Sequence, residues 1–326
     1  MFRRAQQDEF RMDGRFLMYF KTTATALTIF AALFAGDSLN AQTEERTLSE
    51  PLFRISMASE ITSAAKSGDR ADVRVDSLKA VIEPSKITVH PLDPALEFAQ
   101  QKLTHLRTTI HDYQAVMIKQ ERVDGVLLPA EYMSLKVRND REINGTKQPF
   151  SVYMKFLRPT NAKGREVIYV DGRNDGNLVA HETGFLNIMR VNLAPTGSLA
   201  MKGNRYPITD AGIENLVQKL IERGQRDRKC GDCDVDFFAN AKVLDRTCTM
   251  IQVKHDVNKA PYDFHIGRIY IDDEYQVPIR YEAYTWPKPG ETELPLLESY
   301  TYAKLQINVG LTESDFDPNN SEYDFP

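Results

Sequence analysis

The chain has 326 residues, 42% of them hydrophobic and 27% charged, with a formal net charge of -5. That length holds one large domain or two small ones, and the apolar share is enough for a packed core. The acidic balance argues against a nucleic-acid partner, which wants a basic face. It leaves lipids, proteins and cationic ligands open.

Arg3, Arg4, Arg11, Arg15 and Lys21 precede an apolar run from Ala24 to Ala35, and small and polar residues follow up to Leu39-Asn40-Ala41. This is the order of a secretory signal: basic region, apolar core, cleavage site. Residues 1–41 are therefore expected to be removed near Ala41, leaving a periplasmic or secreted protein. The apolar run is about 12 residues, short of the roughly 20 that span a bilayer. The alternative is an uncleaved anchor helix. Acids at Asp8, Glu9 and Asp13 leave the start codon open between Met1, Met12 and Met18. No cysteine stands near the cleavage site to carry a lipid anchor.

Residues 42–90 lack periodicity and are rich in charged and small residues, which predicts a flexible tether. Ser63 and Lys66 match the S-x-x-K of penicillin-binding proteins, but its companions S-D-N and K-T-G do not accompany it.

A single domain is expected over residues 91–320, with a tail at 321–326. Asp93 is a good N-cap, Pro94 suits the first helical position, and Leu96, Ala99, Leu103, Leu106 and Ile110 form one apolar stripe. Strands follow at Tyr113 to Val123 and Tyr132 to Val137, the first broken off by Asp124-Gly125. Further strands are expected at Phe150 to Leu157, Val167 to Val170 and Leu178 to His181. Phe185 to Met201 mixes apolar residues with Pro195 and Gly197. It reads either as a lid or plug, or as an ordinary packed connection.

Thr209 is the expected cap of a strong amphipathic helix (Ile213, Leu216, Val217, Leu220, Ile221) ending at Arg223-Gly224. Strands are then expected at Val235 to Phe238, Thr249 to Val253, Phe264 to Ile271, Ile279 to Tyr284 and Leu296 to Val309. Thr312 and Asp315 make a capping-box variant for a final turn. The fold class is thus α+β, mainly β. A run of hairpin strands makes an antiparallel sheet that must coil, forming an open half-barrel covered by two or three helices.

Chemistry is sparse. Cys230 and Cys233 form a CxxC that follows a helix instead of opening one, which is the wrong polarity for redox work. With only Cys248 in addition, a four-cysteine zinc site is not available. The expectation is a disulfide between Cys233 and Cys248, opening two adjacent strands, with Cys230 spare or an alternative partner. Asp272-Asp273-Glu274 reads as a solvated hairpin turn, with a cation-binding cluster as the alternative. The six histidines have no metal-ligand spacing, and no G-x-S-x-G, H-E-x-x-H or P-loop occurs. No metal, cofactor or catalytic residue is expected. Met117, Met154, Phe156, Phe264, Tyr281 and Tyr300 stand in strands and are the candidate walls of an apolar cavity.

Tyr153-Met154-Lys155-Phe156-Leu157-Arg158-Pro159, then Gly164 to Tyr169 and Asp171-Gly172, resembles the strand, Arg-Pro turn, strand, Asp-Gly turn succession of the LolA-like lipoprotein-sorting carriers. Val277 to Glu282, and Tyr300 to Tyr302 leading into Asn308-Val309-Gly310 and Phe316, resemble their closing hairpin. Residues from about 95 to 320 also resemble an exported bacterial family of unknown function, number 1571, on Lys119 to Arg122, Met201 to Ile208, Cys233 and Cys248. The resemblance implies a half-barrel with helices as its lid, and for the carriers, periplasmic transport of acylated lipoproteins. The expected role is a non-enzymatic, monomeric carrier or binding protein for an acyl chain, lipid or lipoprotein. The alternative is an envelope sensor or scaffold that reads a lipid or peptide and contacts a protein partner. A hydrolase is the third reading.

Overall fold

The computed structural model describes residues 90–143, 145–184, 189–231 and 233–326. The expected signal, the expected tether up to residue 89 and the Ser63/Lys66 pair lie outside the described residues.

Helix α1 (Asp93–Thr109) has Leu92 as its N-cap, with Pro94 in the first turn. Asp93 sits one residue inside the expected cap. It still serves the helix start, because its carboxylate accepts from the His90 backbone N–H at 3.0 Å and pairs with Arg228. Strand β1 (Asp112–Val123) folds back into β2 (Val126–Leu127) through Asp124-Gly125, at φ 49° and 82°. A two-residue hairpin of the type I′ kind needs positive φ at both positions, which Asp-Gly supplies at low cost.

The chain continues through β3 (Glu131–Arg138), the small hairpin of β4 (Arg141–Ile143) and β5 (Thr146–Gln148), β6 (Ser151–Arg158), β7 (Glu166–Val170), β8 (Leu178–His181) and β9 (Val191–Leu193). Two helices, α2 (Ser198–Met201) and α3 (Ile213–Asp227), come next. The last strands are β10 (Asp234–Val243), β11 (Arg246–Lys254), β12 (Ile266–Asp272), β13 (Pro278–Tyr284) and β14 (Leu296–Ile307).

The main sheet has 12 strands in the order β10-β11-β12-β13-β14-β1-β3-β6-β7-β8-β9, with β2 added on β1. Its pairings are antiparallel. Edges β9 and β10 do not pair, so the sheet is unclosed. Two meanders are joined where β14 pairs with β1. The chain leaves β9 at one edge and re-enters at β10, the other edge. It must therefore cross a face of the sheet, and this crossing lays α3, with α1 beside it, against β13 and its neighbours. The fold is the α+β, mainly β half-barrel that the strand succession implies.

Four local expectations are corrected. Thr209 does not cap α3. It lies in a separate turn, Ile208–Asp210, and the N-cap is Gly212 at φ 101°. The Ile213 backbone N–H instead donates to the Tyr113 hydroxyl of β1 at 2.8 Å, so a strand side chain satisfies this helix end. Gly224 does not end α3 either. A Cβ there would stand 2.8 Å from Leu96 Cδ2, so the glycine admits the close approach of α1 to α3.

Asp272 is not solvated. It is buried, is gripped by Arg246, and accepts the backbone N–H groups of Glu274 and Tyr275 at 2.9 and 2.8 Å. Only Asp273 and Glu274 of that turn are exposed.

The fourth correction is the disulfide. Among the described residues none is formed. Asp234 pairs with Lys254 and Ala241 with Cys248, so Cys233 lies at the far end of the β10–β11 hairpin from Cys248. In an antiparallel pair, the residues that open the two strands sit at opposite ends. From the position opposite Cys233 to Cys248 the ladder runs on the order of 20 Å, against the ~7 Å limit between Cα atoms for a disulfide.

The Phe185 to Met201 stretch, from residue 189 on, is a packed connection. Val191, Leu193 and Ala200 lie on the Tyr169, Leu178 and Ala180 cluster. The Thr312/Asp315 capping box is formed. Beyond it, Phe316 and Tyr323 cover Tyr153, Ile168 and Val170, and the Tyr323 ring stacks on Tyr153 at 4.1 Å. Of residues 321–326, Tyr323 and Phe325 pack on this cluster, while Ser321, Glu322, Asp324 and Pro326 are exposed.

Candidate functional site

Side chains alternate along a strand, so the pairing register decides which residues share a face. Met117 stands opposite Met133 and Tyr302, Met154 opposite Leu135 and Val167, Phe156 opposite Met133, and Tyr281 opposite Tyr300 and Ile269. These five strand residues therefore lie on one face, the face that α1 and α3 cover.

That face is not uniformly apolar. Lys119, Glu121, Glu131 and Glu298 form a polar belt across β3, β1 and β14. Glu121 and Glu298 are direct partners in the ladder. Both are buried, at 4% and 1% exposure, an arrangement that like charges disfavour. The segment Met201 to Ile208 resolves the conflict. Arg205 donates its backbone N–H to Glu121 at 3.1 Å, its Nε to Glu298 at 3.0 Å, and an Nη to the Arg122 carbonyl at 3.0 Å. Asn204 accepts from Lys119, which also pairs with Glu131 at 2.9 Å. Tyr206 donates to Glu298, and Arg223 of α3 donates to the hydroxyls of Tyr206 and Tyr281. The two sequence patterns at 119–122 and 201–208 are thus the halves of one interlock. It pins the crossing segment to the middle of the sheet.

The belt divides the covered face. On the β3 and β6–β9 side, Met154 and Phe156 are partly buried, with the Arg165 guanidinium 5.4 Å from the Phe156 ring centroid. Met117 is core, and Tyr300 donates its hydroxyl to Glu121 within the belt. On the β10–β13 side a cavity of about 100 Å³ remains between α1, α3 and strands β11–β13. Phe264 and Tyr281 line it, while Met117, Met154, Phe156 and Tyr300 do not.

The space has a physical origin. Where α1 and α3 face the sheet, the wall is Ala95, Ala99, Gly224 and Gly267, which bring almost no side-chain volume. Around them stand Leu96, Phe98, Leu220, Val253, Ile251 and Ile269. Four charged residues reach the lining: Lys102, Arg223, Asp227 and Arg268. Three of them are committed elsewhere. Arg223 holds Asp263 and the belt, Arg268 bonds Gln252 and Glu282, and Asp227 accepts from Arg226 at 2.9 Å. The sequence stripe on α1 gave the helix and its inner face. The facing small residues on α1, α3 and β12 are the signal that reveals the cavity, and it is legible only once those elements are placed together.

Among the described residues no group of three or more His, Cys, Asp or Glu is placed to hold a metal ion. No described helix is long and apolar enough to cross a membrane.

A half-barrel whose crossing helix roofs an apolar cavity defines the class of this protein. Residues 110–325 match the family model described as protein of unknown function (DUF1571), and the chain belongs to that family. No curated protein matches it. Among solved structures it is similar to a DUF1329 family protein from Desulfovibrio piger, with 11% identity over 70% of this chain and 98% of the other, at TM-score 0.35. It is similar to a putative outer membrane lipoprotein-sorting protein domain from Vibrio parahaemolyticus, with 13% identity over 69% and 96%, at TM-score 0.33. It is also similar to the Mycobacterium tuberculosis lipoprotein LppX, with 16% identity over 69% and 100%, at TM-score 0.36.

Proposed function

We propose that this protein is a non-enzymatic binding or carrier protein, acting after export, that holds an acyl chain or similar slender lipid tail in the cavity under α1 and α3. The observation that carries this reading is the cavity wall, which apart from Lys102, Arg223, Asp227 and Arg268 is aliphatic, aromatic or glycine. Pockets for apolar ligands combine such walls with a few polar groups. Burial of each methylene contributes about 0.8 kcal/mol.

The cavity is on the scale of an engineered cavity that admits one benzene-sized molecule. A long chain therefore needs α1 to move away from the sheet as it enters. Titration of the full chain with a fluorescent fatty acid tests the proposal. Saturable uptake is expected, and Ala99→Phe, which fills the cavity, is expected to abolish it while leaving the thermal transition in place. No uptake by the wild type, together with no lipid in native mass spectra of protein purified from its own envelope, would overturn it.

A further inference from the structure

Five described lysines are buried or half-buried: Lys102, Lys119, Lys136, Lys155 and Lys254. Four of them pair with carboxylates. Lys119 has Glu121 and Glu131, Lys136 has Asp315, Lys155 has Glu166 and Asp324, and Lys254 has Asp234 and Asp256. Lys102 is the exception, and it is the one that lines the cavity. Its ammonium donates to the Gln276 side-chain carbonyl and stands 4.7 Å from the Phe98 ring centroid. Asp273 is the acid nearest in effect, but it is exposed and its carboxylate accepts from Thr249 at 3.0 Å. Burial lowers the pKa of Lys102, the direction for a cation that has lost water without gaining a full counter-charge.

We propose that Lys102 is the head-group site of this cavity and that the ligand is a single-chain amphiphile with a carboxylate head, a long-chain fatty acid in the simplest case. The inference rests on the apolar-chain reading above. The lining residues of α1 run from Leu92 to Lys102. Ten residues of helix span ~15 Å, so the ammonium stands at one end of an apolar track. Asp227 and Leu92 stand at the other, where Arg228 pairs with Asp93. The carboxylate of Asp227 disfavours an anionic head there, which sets the ligand's direction. A single ammonium matches one carboxylate. A phosphate head calls for several convergent donors, and the two arginines of the lining are already committed to Asp263, Glu298 and Glu282.

Hexadecanoic acid and its methyl ester, each competing with a neutral environment-sensitive dye bound to the full chain, separate the two readings. The acid is expected to bind about tenfold more tightly than the ester. In Lys102→Met the preference for the acid over the ester should be lost. Gln276→Glu keeps the lysine but gives it an internal carboxylate, and the same loss is expected. Equal affinity of acid and ester in the wild type overturns the head-group site and leaves the apolar reading standing. A preference that survives Lys102→Met also overturns it. Binding of neither ligand removes both.

Discussion

At the scale of single residues, the decisive feature is the pair of opposed carboxylates at Glu121 and Glu298. Two buried acids facing each other across a ladder are tolerated because Arg205 is inserted between them, with Lys119 beside Glu121 and Arg223 beside Glu298. Removing one partner of a buried pair leaves an uncompensated charge, a loss on the order of 3 kcal/mol. Arg205→Ala is therefore expected to lose about that much in urea denaturation. Glu298→Gln added to that variant should recover part of it, because the stranded charge is gone. If the double variant is less stable than Arg205→Ala, the opposed charges are not the cause. The cysteines give a second test. Cys248 is fully buried, and burial pushes its thiol up to about 12. Non-reducing peptide mapping should find no Cys233–Cys248 bond, and Cys248 should resist alkylation at about pH 8 until the chain is unfolded, since the thiolate is the reactive form.

At the scale of elements, α3 depends on a residue about a hundred positions earlier in the chain. Its first N–H, that of Ile213, is met by the hydroxyl of Tyr113, a buried residue. Tyr113→Phe keeps the ring and deletes the acceptor, leaving a buried N–H without it. The expected loss is about 1–2 kcal/mol with an unchanged denaturant slope. An unchanged midpoint would show that the hydroxyl does not support the helix.

This dependence also shows what the sequence can and cannot display. Period-two and period-three-to-four patterns come from local geometry, so the longer strands and both long helices are legible, as are the Asp124-Gly125 turn and the Thr312 box, whereas the short strands β2, β4, β5 and β9 are not. Thr209 and Gly224 were misread because their roles are tertiary. A cap can come from another strand, and a glycine can serve a neighbouring helix instead of a helix end. The cavity was half legible for the same reason. Phe264 and Tyr281 carry strand signals, whereas Ala95, Ala99, Gly224 and Lys102 matter only for what they face. The disulfide expectation failed on direction, since antiparallel neighbours do not start at the same end.

At the scale of the whole molecule, stability should depend on pH through a histidine buried behind the cavity. His255 is 1% exposed and stacks on Tyr262 at 4.1 Å. Its Nδ1 donates to the Phe264 carbonyl at 3.2 Å, so Nε2 of the neutral ring is an acceptor, 3.7 Å from Asp227 Oδ2. Burial lowers its pKa below 6.5. Asp227 pulls the other way, while Arg226 and His265 reinforce the lowering. The folded state then binds fewer protons than the unfolded state once pH drops below about 6.5, so folding is progressively disfavoured on acidification through that window. Asp227 has the opposite sign. Burial raises its pKa above 3.8, so its own contribution is lost as pH rises through a window that begins near 3.8. The histidine therefore governs the neutral side. The midpoint of thermal unfolding is expected to fall between about pH 7.5 and about pH 5.5, and this fall should be smaller in His255→Phe, whatever that variant's absolute stability. An equal fall in both proteins would assign the acid sensitivity to other groups. Because Phe264 and Asp227 both line the cavity and both face His255, its protonation is expected to disturb the wall. Measured by dye competition at the same two pH values, wild-type affinity for an uncharged chain should then weaken in step with the stability.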